Sequence, residues 1–565
     1  MKKTISILIS ALLAFTLASP AFASAAGENS LYLAVASDLH FNIPREQIEG
    51  SIDDEIYYYA NRRAAMEDES GFIIDDFLRQ CAENDLVDYV LISGDLADNG
   101  KSTPDEHYAV AEKLAKFEQE TGKSVYVCNG NHDSGNNCET ENETFREIYN
   151  DFGYGEALET MDGNLSYTVN LGEKYRLIVA DSCNPNKSTE DGLDSSRVSW
   201  IVEQAGKAYK DGKYPLLMMH HNLLDHMPVQ RVLSHNFIVQ NHVSTADRLA
   251  NAGIKVVLTG HEHGSDVISH TTLSGKTITD FSTSSLTMYP LSYRLMSFED
   301  EKISYSSETI DSIDLEALTE ACGGYSEEQL SLMSEGLNDY AKGFFKAGIK
   351  YRLWLSLTPE KLGVDEDSII GPVVYTAVDR LLDILDAPLY GEGGVSELSA
   401  EYGIDLPETE YSDGWDLATE LVAYHYAGNE PFALDSPEVT LLLYVADLII
   451  LDALSSVNDE VFLSAANKVA SSFDTGEICK NFTKTVARNA GPVTAGEYLI
   501  VAIASPLLYG LAYDRDGLDD NNGEIDGYAV NNASANLAAK FGSFFSDVLL
   551  YFKLFLSYVI KALVG

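Results

Sequence analysis

Five short clusters of Asp, Asn and His stand at the ends of hydrophobic runs in the first half of this 565-residue sequence. In chain order they are Asp38-Leu39-His40, Gly94-Asp95, Gly130-Asn131-His132-Asp133, His220-His221 and Gly260-His261-Glu262-His263. Carboxylate and amide oxygens combined with imidazole nitrogens are ligands for divalent metal ions. Asp38 and His40 are two apart, as are His261 and His263. In extended chain such residues point to the same side, so each pair can touch one ion. The glycine before Asp95 lets the backbone turn sharply, and a carboxylate can bridge two metals through its two oxygens. Together the clusters offer more ligands than one cation takes and about enough for two. Two metals about 3.5–4 Å apart are a device for in-line displacement at phosphorus or a carbonyl. An imidazole outside the ligand set can protonate the departing alcohol, and His132, beside Asn131, is the candidate.

Each cluster follows a strand-like run: Leu31–Ser37, Tyr89–Ser93, Val125–Cys128, Leu216–Met219 and Lys255–Thr259. Strands of an open α/β sheet deliver their C-terminal ends to one edge, where the clusters can converge. Helix candidates alternate with them at Gly71–Glu83, Asp105–Glu120, Glu143–Phe152, Ser195–Tyr209 and Ser244–Ala252. Tyr175–Asp181 adds a strand, and Asp266–His270, Lys276–Phe281, Tyr293–Phe298 and Lys302–Ser306 read as further short strands. The alternation predicts α/β layering up to about Ile310. From about Asp311 the period turns helical, over Ser326–Lys346, Pro372–Leu385, Trp415–His425, Ser436–Leu454, Glu460–Phe473 and Glu497–Tyr513. Only His425 of the 12 histidines lies beyond His270. The second half therefore reads as a separate, mostly α-helical module over 311–565, with no metal constellation of its own.

The start reads as a secretory signal over 1–26. Lys2 and Lys3 precede the apolar run Ile5–Leu17, and small residues around Ala21–Ala26 suit cleavage. The expectation is export, with the short basic start looking bacterial. The 38 basic and 88 acidic residues give a net charge of −50. Such a surface repels polymeric nucleic acid and anionic lipid. An anionic substrate must then be drawn by local positive charge, for which bound metals are the obvious source. The six cysteines form no CxxC or zinc-ribbon spacing. Cys128 reads as buried packing, and Cys138 and Cys183 as either free thiols or a bridge.

At the five clusters the chain resembles the calcineurin-like metallophosphoesterase family. That family's pattern is DxH, GD, GNH followed by Asp or Glu, a strand-end His, and GHxH, and all five occur here in order. The resemblance covers roughly residues 30–300 and implies a four-layer α/β/β/α sandwich over 27–310 with a dinuclear centre at the strand ends. Carried over, it implies one metal on Asp38, His40, Asp95 and His263 and the other on Asp95, Asn131, His220 and His261. Asp95 bridges, a metal-bridging hydroxide attacks phosphorus, and His132 protonates the leaving group. Family members use manganese, iron or zinc. The chain departs from the pattern at the fourth motif, where two histidines are followed by Asn222 rather than the frequent proline. The family pattern favours His220 as ligand, and an exchange with His221 stays open. The GNHD form and the double histidine resemble the phosphodiesterase branches, so a phosphodiesterase of small esters is expected. The rivals are a phosphomonoesterase or nucleotidase, and a surface-attachment or partner-binding protein whose phosphatase activity is incidental.

Each of these residues taken singly is also what a helix cap or loop contact looks like; the joint pattern carries the reading. His226, His235 and His242 read as loop histidines near the site, and His107 and His270 as surface positions. Tyr57–Tyr59 read as helix packing. Asp514–Asp526 resembles part of a calcium loop but lacks its closing glutamate, so a solvated acidic loop is the plainer reading. The apolar segment 544–564 carries Lys553, Ser557 and Lys561 on one stripe. It reads first as a helix packed on its own domain or on another subunit, and secondarily as a membrane-surface or cell-envelope contact.

Overall fold

A computed structural model of the chain describes residues 30–44, 63–184, 191–226, 230, 237–356, 371–401, 405–433, 436–442, 444–445, 514 and 517–530. The leader-like start 1–26, Tyr57–Tyr59, His235 and the segment 544–564 lie outside the described residues, as do the helix candidates 460–473 and 497–513.

Two mixed sheets share one core. The first holds β1 (Leu31–Ala36), β2 (Tyr89–Ile92), β3 (Ser124–Val127), β11 (Ser292–Phe298), β12 (Lys302–Thr309) and β13 (Asn522–Asp526), in the order β13-β12-β11-β1-β2-β3. β1, β2 and β3 are parallel, and the other three pair antiparallel. The second holds β4 (Glu159–Thr160), β5 (Tyr167–Leu171), β6 (Tyr175–Val179), β7 (Tyr214–Met218), β8 (Val256–Thr259), β9 (Asp266–Thr271) and β10 (Thr277–Ser282), in the order β4-β5-β6-β7-β8-β10-β9.

Strand alternation sorts the side chains of the second sheet between two faces. Leu177, Val179, Leu216, Met218, Val256 and Leu258 join the core shared with the first sheet. Their neighbours Ile178, Leu217 and Val257 join a second cluster with Val198, Ile201 and Leu249. The last three come from α4 (Ser195–Lys210) and α5 (His242–Asn251), so helices cover that outer face. On the first sheet, α1 (Ser70–Glu83) and α2 (Pro104–Thr121) bury Ile73, Phe77, Val110 and Leu114 in the shared core. The helix expected over Glu143–Phe152 ends early. α3 spans Asn142–Ile148, and Gly153 beyond it takes φ of +121° against the Tyr167 ring, where a Cβ would sit 2.4 Å from the hydroxyl.

The second half contributes α6 (Leu315–Cys322), α7 (Glu327–Glu335), α8 (Leu337–Ser356), α9 (Gly371–Asp386), α10 (Val395–Glu401) and α11 (Gly414–Tyr426). The single helix expected over Ser326–Lys346 is two helices, because Gly336 breaks it. Glycine is poor in a helix interior, and the break lets Leu337 reach the shared core with Met333, Ala341 and Phe344. The first half does not close its own core. Helices beyond residue 310 complete it, and β13 pairs with β12 from Lys302↔Asp526 to Ser306↔Asn522.

That pairing corrects the reading of Asp514–Asp526 as a solvated loop. Asp520 is buried, its Oδ1 accepting from Val267 N, and Asn521 donates to Ala427 O and Gly428 O. Asp519 accepts from Asn521 N and Asn522 N. These side chains are engaged with backbone groups. Burial, with the Asp266 and Glu430 carboxylates nearby, pushes the Asp520 acid up to about 10.

Arg294, on β11, is the largest fully buried side chain among the described residues and ties this returning segment to the second sheet. It donates to Asp520 O, Ser265 Oγ, Asp266 O and Ser282 O. Arg294→Met keeps the apolar stem and strands these acceptors. The expected loss is about 3–5 kcal/mol, the scale of breaking a buried charged contact, measured by urea unfolding. An unchanged midpoint contradicts this role.

Candidate metal centre

The C-terminal ends of β1, β2, β3, β7 and β8 meet at one edge of the sandwich. The seven expected ligands, Asp38, His40, Asp95, Asn131, His220, His261 and His263, converge there. His40 Nε2 lies 3.1 Å from His263 Nε2, 3.7 Å from Asp38 Oδ1 and 3.8 Å from Asp95 Oδ2. His263 Nε2 is 3.2 Å from Asp38 Oδ1. On the other side, His220 Nε2 is 3.0 Å from Asn131 Oδ1, 3.1 Å from His261 Nδ1 and 3.3 Å from Asp95 Oδ2. Asp95 Oδ2 lies between the two groups, so the arrangement has two poles that share one carboxylate.

The local backbone is strained to achieve this. Asp38, His40, Asp95, His261 and His263 all have positive φ, between 38° and 68°. Such conformations cost on the order of 1–3 kcal/mol each for residues with a Cβ. Two of the motif glycines are required by close approach. A Cβ on Gly130 would sit 2.1 Å from Asp95 Oδ1, and one on Gly260 1.8 Å from Ser37 Oγ.

Hydrogen bonds fix the ligand atoms from behind. Asp38 Oδ2 accepts from Ser37 Oγ (2.6 Å) and His261 N (2.9 Å), joining the first and last motifs. Asp95 Oδ1 accepts from His132 N (2.7 Å). His220 Nδ1 is 3.0 Å from Ser93 O, which leaves Nε2 for the centre. Asp133 takes no part in the cluster itself. Its carboxylate accepts from Leu96 N, Ala97 N and Gly130 N, clamping the second motif loop to the third.

The two adjacent histidines have separate surroundings. His220 joins the cluster, whereas His221 Nδ1 pairs with Ser182 Oγ at 2.7 Å. His132 lies at the rim, its Nδ1 2.7 Å from Asp98 O, so Nδ1 donates and Nε2 is the free nitrogen. Asp98 is a residue the motifs did not reveal. Its carboxylate sits 3.2 Å from His40 Nδ1 and pairs with Arg63. Its only sequence signal is an acidic residue in the loop that opens at Asp95.

Several histidines read as surface or loop positions are buried instead. His107 is fully buried, bridging Tyr149 Oη and Asp133 O, each at 2.9 Å. His226 is held between Asp266 (2.6 Å) and Asp280 (3.2 Å), and His242 pairs with Asp225. His270 is half-buried against Asp247. In each case a carboxylate, carbonyl or hydroxyl from a distant segment satisfies the ring, which a lone histidine in sequence cannot announce. Cys138 and Cys183 are free thiols.

The donor set suits cations. Asp38 Oδ1 is buried and accepts no hydrogen bond, with imidazole nitrogens as its neighbours. Burial works against the charged form of Asp38, but His263 and His220 hold it down at about 2. Burial lowers His40 and His261, favouring neutral imidazole, the ligating form. Burial opposes the charged form of His220 too, yet Asp95 and Asp38 hold it up at about 10. A proton there stands in for missing positive charge.

Residues 31–265 match the family model of the calcineurin-like phosphoesterases. This segment is similar to that family, over less than half of the chain. Calcineurin-like phosphoesterases bind two metal ions and hydrolyse phosphoesters, and the two-sheet architecture with flanking helices is theirs. No curated protein matches the chain. Solved structures similar to it include a dimetal phosphatase from Danio rerio, 11% identical, with 49% of this chain and 95% of that one covered at a TM-score of 0.37. A vacuolar protein sorting 29 from Cryptosporidium parvum is 14% identical, with 50% and 92% covered at 0.22. A phosphopantetheinyl hydrolase from Mycobacterium tuberculosis is 12% identical, with 45% and 90% covered at 0.23.

Metal binding must displace the His220 proton. Since this group is raised to about 10, it is protonated at neutral pH in the metal-free protein. Each cation pair taken up is expected to release at least one proton, and affinity to rise about tenfold per pH unit through neutrality. Calorimetry of manganese binding in buffers of different ionisation enthalpy measures the release. Absence of proton release at pH 7 contradicts a protonated His220.

Proposed function

We propose that the chain is an exported phosphoester hydrolase with a dinuclear metal centre, acting on small phosphodiesters. The observation that carries the reading is the two-pole cluster around Asp95. Asp38, His40 and His263 would hold one cation and Asn131, His220 and His261 the other, with Asp95 shared. Two bound cations supply Lewis-acid charge for phosphate oxygens and lower the pKa of water at neutral pH.

The chain's own residues do the rest. Asp95 and Asp38 fix the spacing of the poles, because their second oxygens are tied to His132 N and to Ser37 Oγ and His261 N. His132, its Nδ1 held by Asp98 O, stands beside His40 and Asp95, where its Nε2 can give a proton to a leaving-group oxygen. The exposed acidic surface disfavours polymeric nucleic acid and supports a small ester as substrate. Export rests on the leader-like start alone. Among the described residues no helix is long and apolar enough to cross a membrane.

Asp95→Ala and Asn131→Ala are expected to abolish turnover and lower metal content by elemental analysis. His132→Ala is expected to keep its metal and lose roughly 10²–10⁴-fold in rate on alkyl esters. The loss should be much smaller on esters whose leaving group needs no proton; equal losses on both would remove His132 from the acid role. p-Nitrophenyl phosphate assayed beside its bis ester, with manganese or zinc, separates monoesterase from diesterase. Preference for the monoester turns the reading to a phosphatase or nucleotidase.

A further inference from the structure

The helical half touches the metal-candidate residues from behind, most directly under His263. α11 ends against the loop after the last motif, where Tyr426 O accepts from Ser265 N at 2.9 Å. His425 Nε2 lies 3.8 Å from the Glu262 carboxylate, and Glu262 stands between the two strained residues His261 and His263. Met288 Sδ is 2.9 Å from His263 Nδ1. Met288 itself is packed in a small buried cluster with Ala64, Ala65, Phe345 of α8 and Ala423 of α11. From a third side, Arg352 of α8 donates to Arg63 O, and Arg63 pairs with the Asp98 that faces His40.

The other pole is supported from within the first half. His220 Nδ1 is set by Ser93 O, and the His261 ring packs on Phe237 at 4.3 Å between centroids. The difference matters because a ligand imidazole is usually oriented by a carboxylate or carbonyl behind it. Among the described residues His263 Nδ1 has only a thioether, a weak acceptor. Its direction therefore rests on how firmly Met288 is packed, which is the work of α8 and α11.

We propose that α8 and α11 are positioning elements for the Asp38–His40–His263 pole, so that the helical half governs occupancy of one of the two cation sites. This rests on the dinuclear reading above. Removing the Phe345 ring loosens Met288 and frees His263. Removing the His425 imidazole takes one neighbour from Glu262, whose other oxygen stays bound to Gln230 Nε2 at 2.5 Å, and loosens the end of α11 against Ser265.

The test uses the full chain, with manganese as the probe. The parent is expected to bind two manganese ions per chain and show a spin-coupled pair by electron paramagnetic resonance. Phe345→Ala and His425→Gln are expected to bind one ion normally and the other at least about tenfold more weakly. The coupled signal should give way to that of an isolated ion. In the metal-free variants, hydrogen exchange at the Gly264 and Ser265 amides should quicken. Phe345→Leu should restore coupling. If Phe345→Ala fails to fold by circular dichroism, His425→Gln decides the matter. Folded variants that keep two coupled ions at parent affinity overturn the proposal and leave the enzyme reading standing, and equal weakening of both ions also overturns it. A parent chain that takes up neither manganese nor zinc overturns both.

Discussion

Buried lone pairs facing one another are the constraint on which this molecule is built. His40 Nε2 and His263 Nε2 stand 3.1 Å apart beside Asp38 Oδ1, which accepts no hydrogen bond. An unpaired carboxylate away from water is costly, and so is a cluster of acceptors with no donor among them. Positive charge between them resolves both costs. Protons can supply part of it, as the raised His220 shows, but a proton satisfies two atoms, whereas a cation satisfies four or more. The geometry is therefore preorganised for positive charge, and the same feature fits it to stabilise charge developing on a phosphate.

Holding that geometry requires stiffness. The ligand loops carry five side chains in left-handed conformations, together on the scale of a small domain's net stability. The loops are short, start from buried strands, and are stitched crosswise. Asp38 reaches both Ser37 and the backbone of His261, Asp133 clamps two loops through three amides, and Ser285 Oγ donates to Asp38 O. The glycines at 130 and 260 let neighbouring loops approach closer than any Cβ allows. Motif spacing in this chain is thus a packing statement as much as a chemical one.

The motifs were legible because each combines a ligand with a turn at the end of an apolar strand, a signal local in sequence. The parallel strands and most helices of the first half were legible for the same reason, since period and boundary residues coincide. What escaped was non-local. β13 is a run of Asn, Gly, Glu, Ile and Asp that becomes a strand only because β12 offers it an edge. His107 and His226 look like polar surface residues until Asp133, Asp266 and Asp280 arrive from elsewhere in the chain. Asp98 has no motif of its own, and its position behind His40 depends on how the loop after Asp95 folds. The break at Gly336 is set by where Leu337 must go, which the helical period on either side of it does not reveal.

The net charge of −50 gives the last step. A surface of that sign opposes the approach of any phosphate, and salt screens the opposition only beyond about 8 Å at physiological strength. Attraction must come from charge within a few ångströms of the ester, where the surface field no longer dominates. Cations held by the clustered carboxylates and imidazoles would provide this, at short reach. A small ester is neutralised almost wholly once it arrives. A polymer brings further phosphates that stay in the repulsive field. In the proposed reading, the acidic exterior and the cationic interior together select by size, without a pocket shaped to exclude long chains.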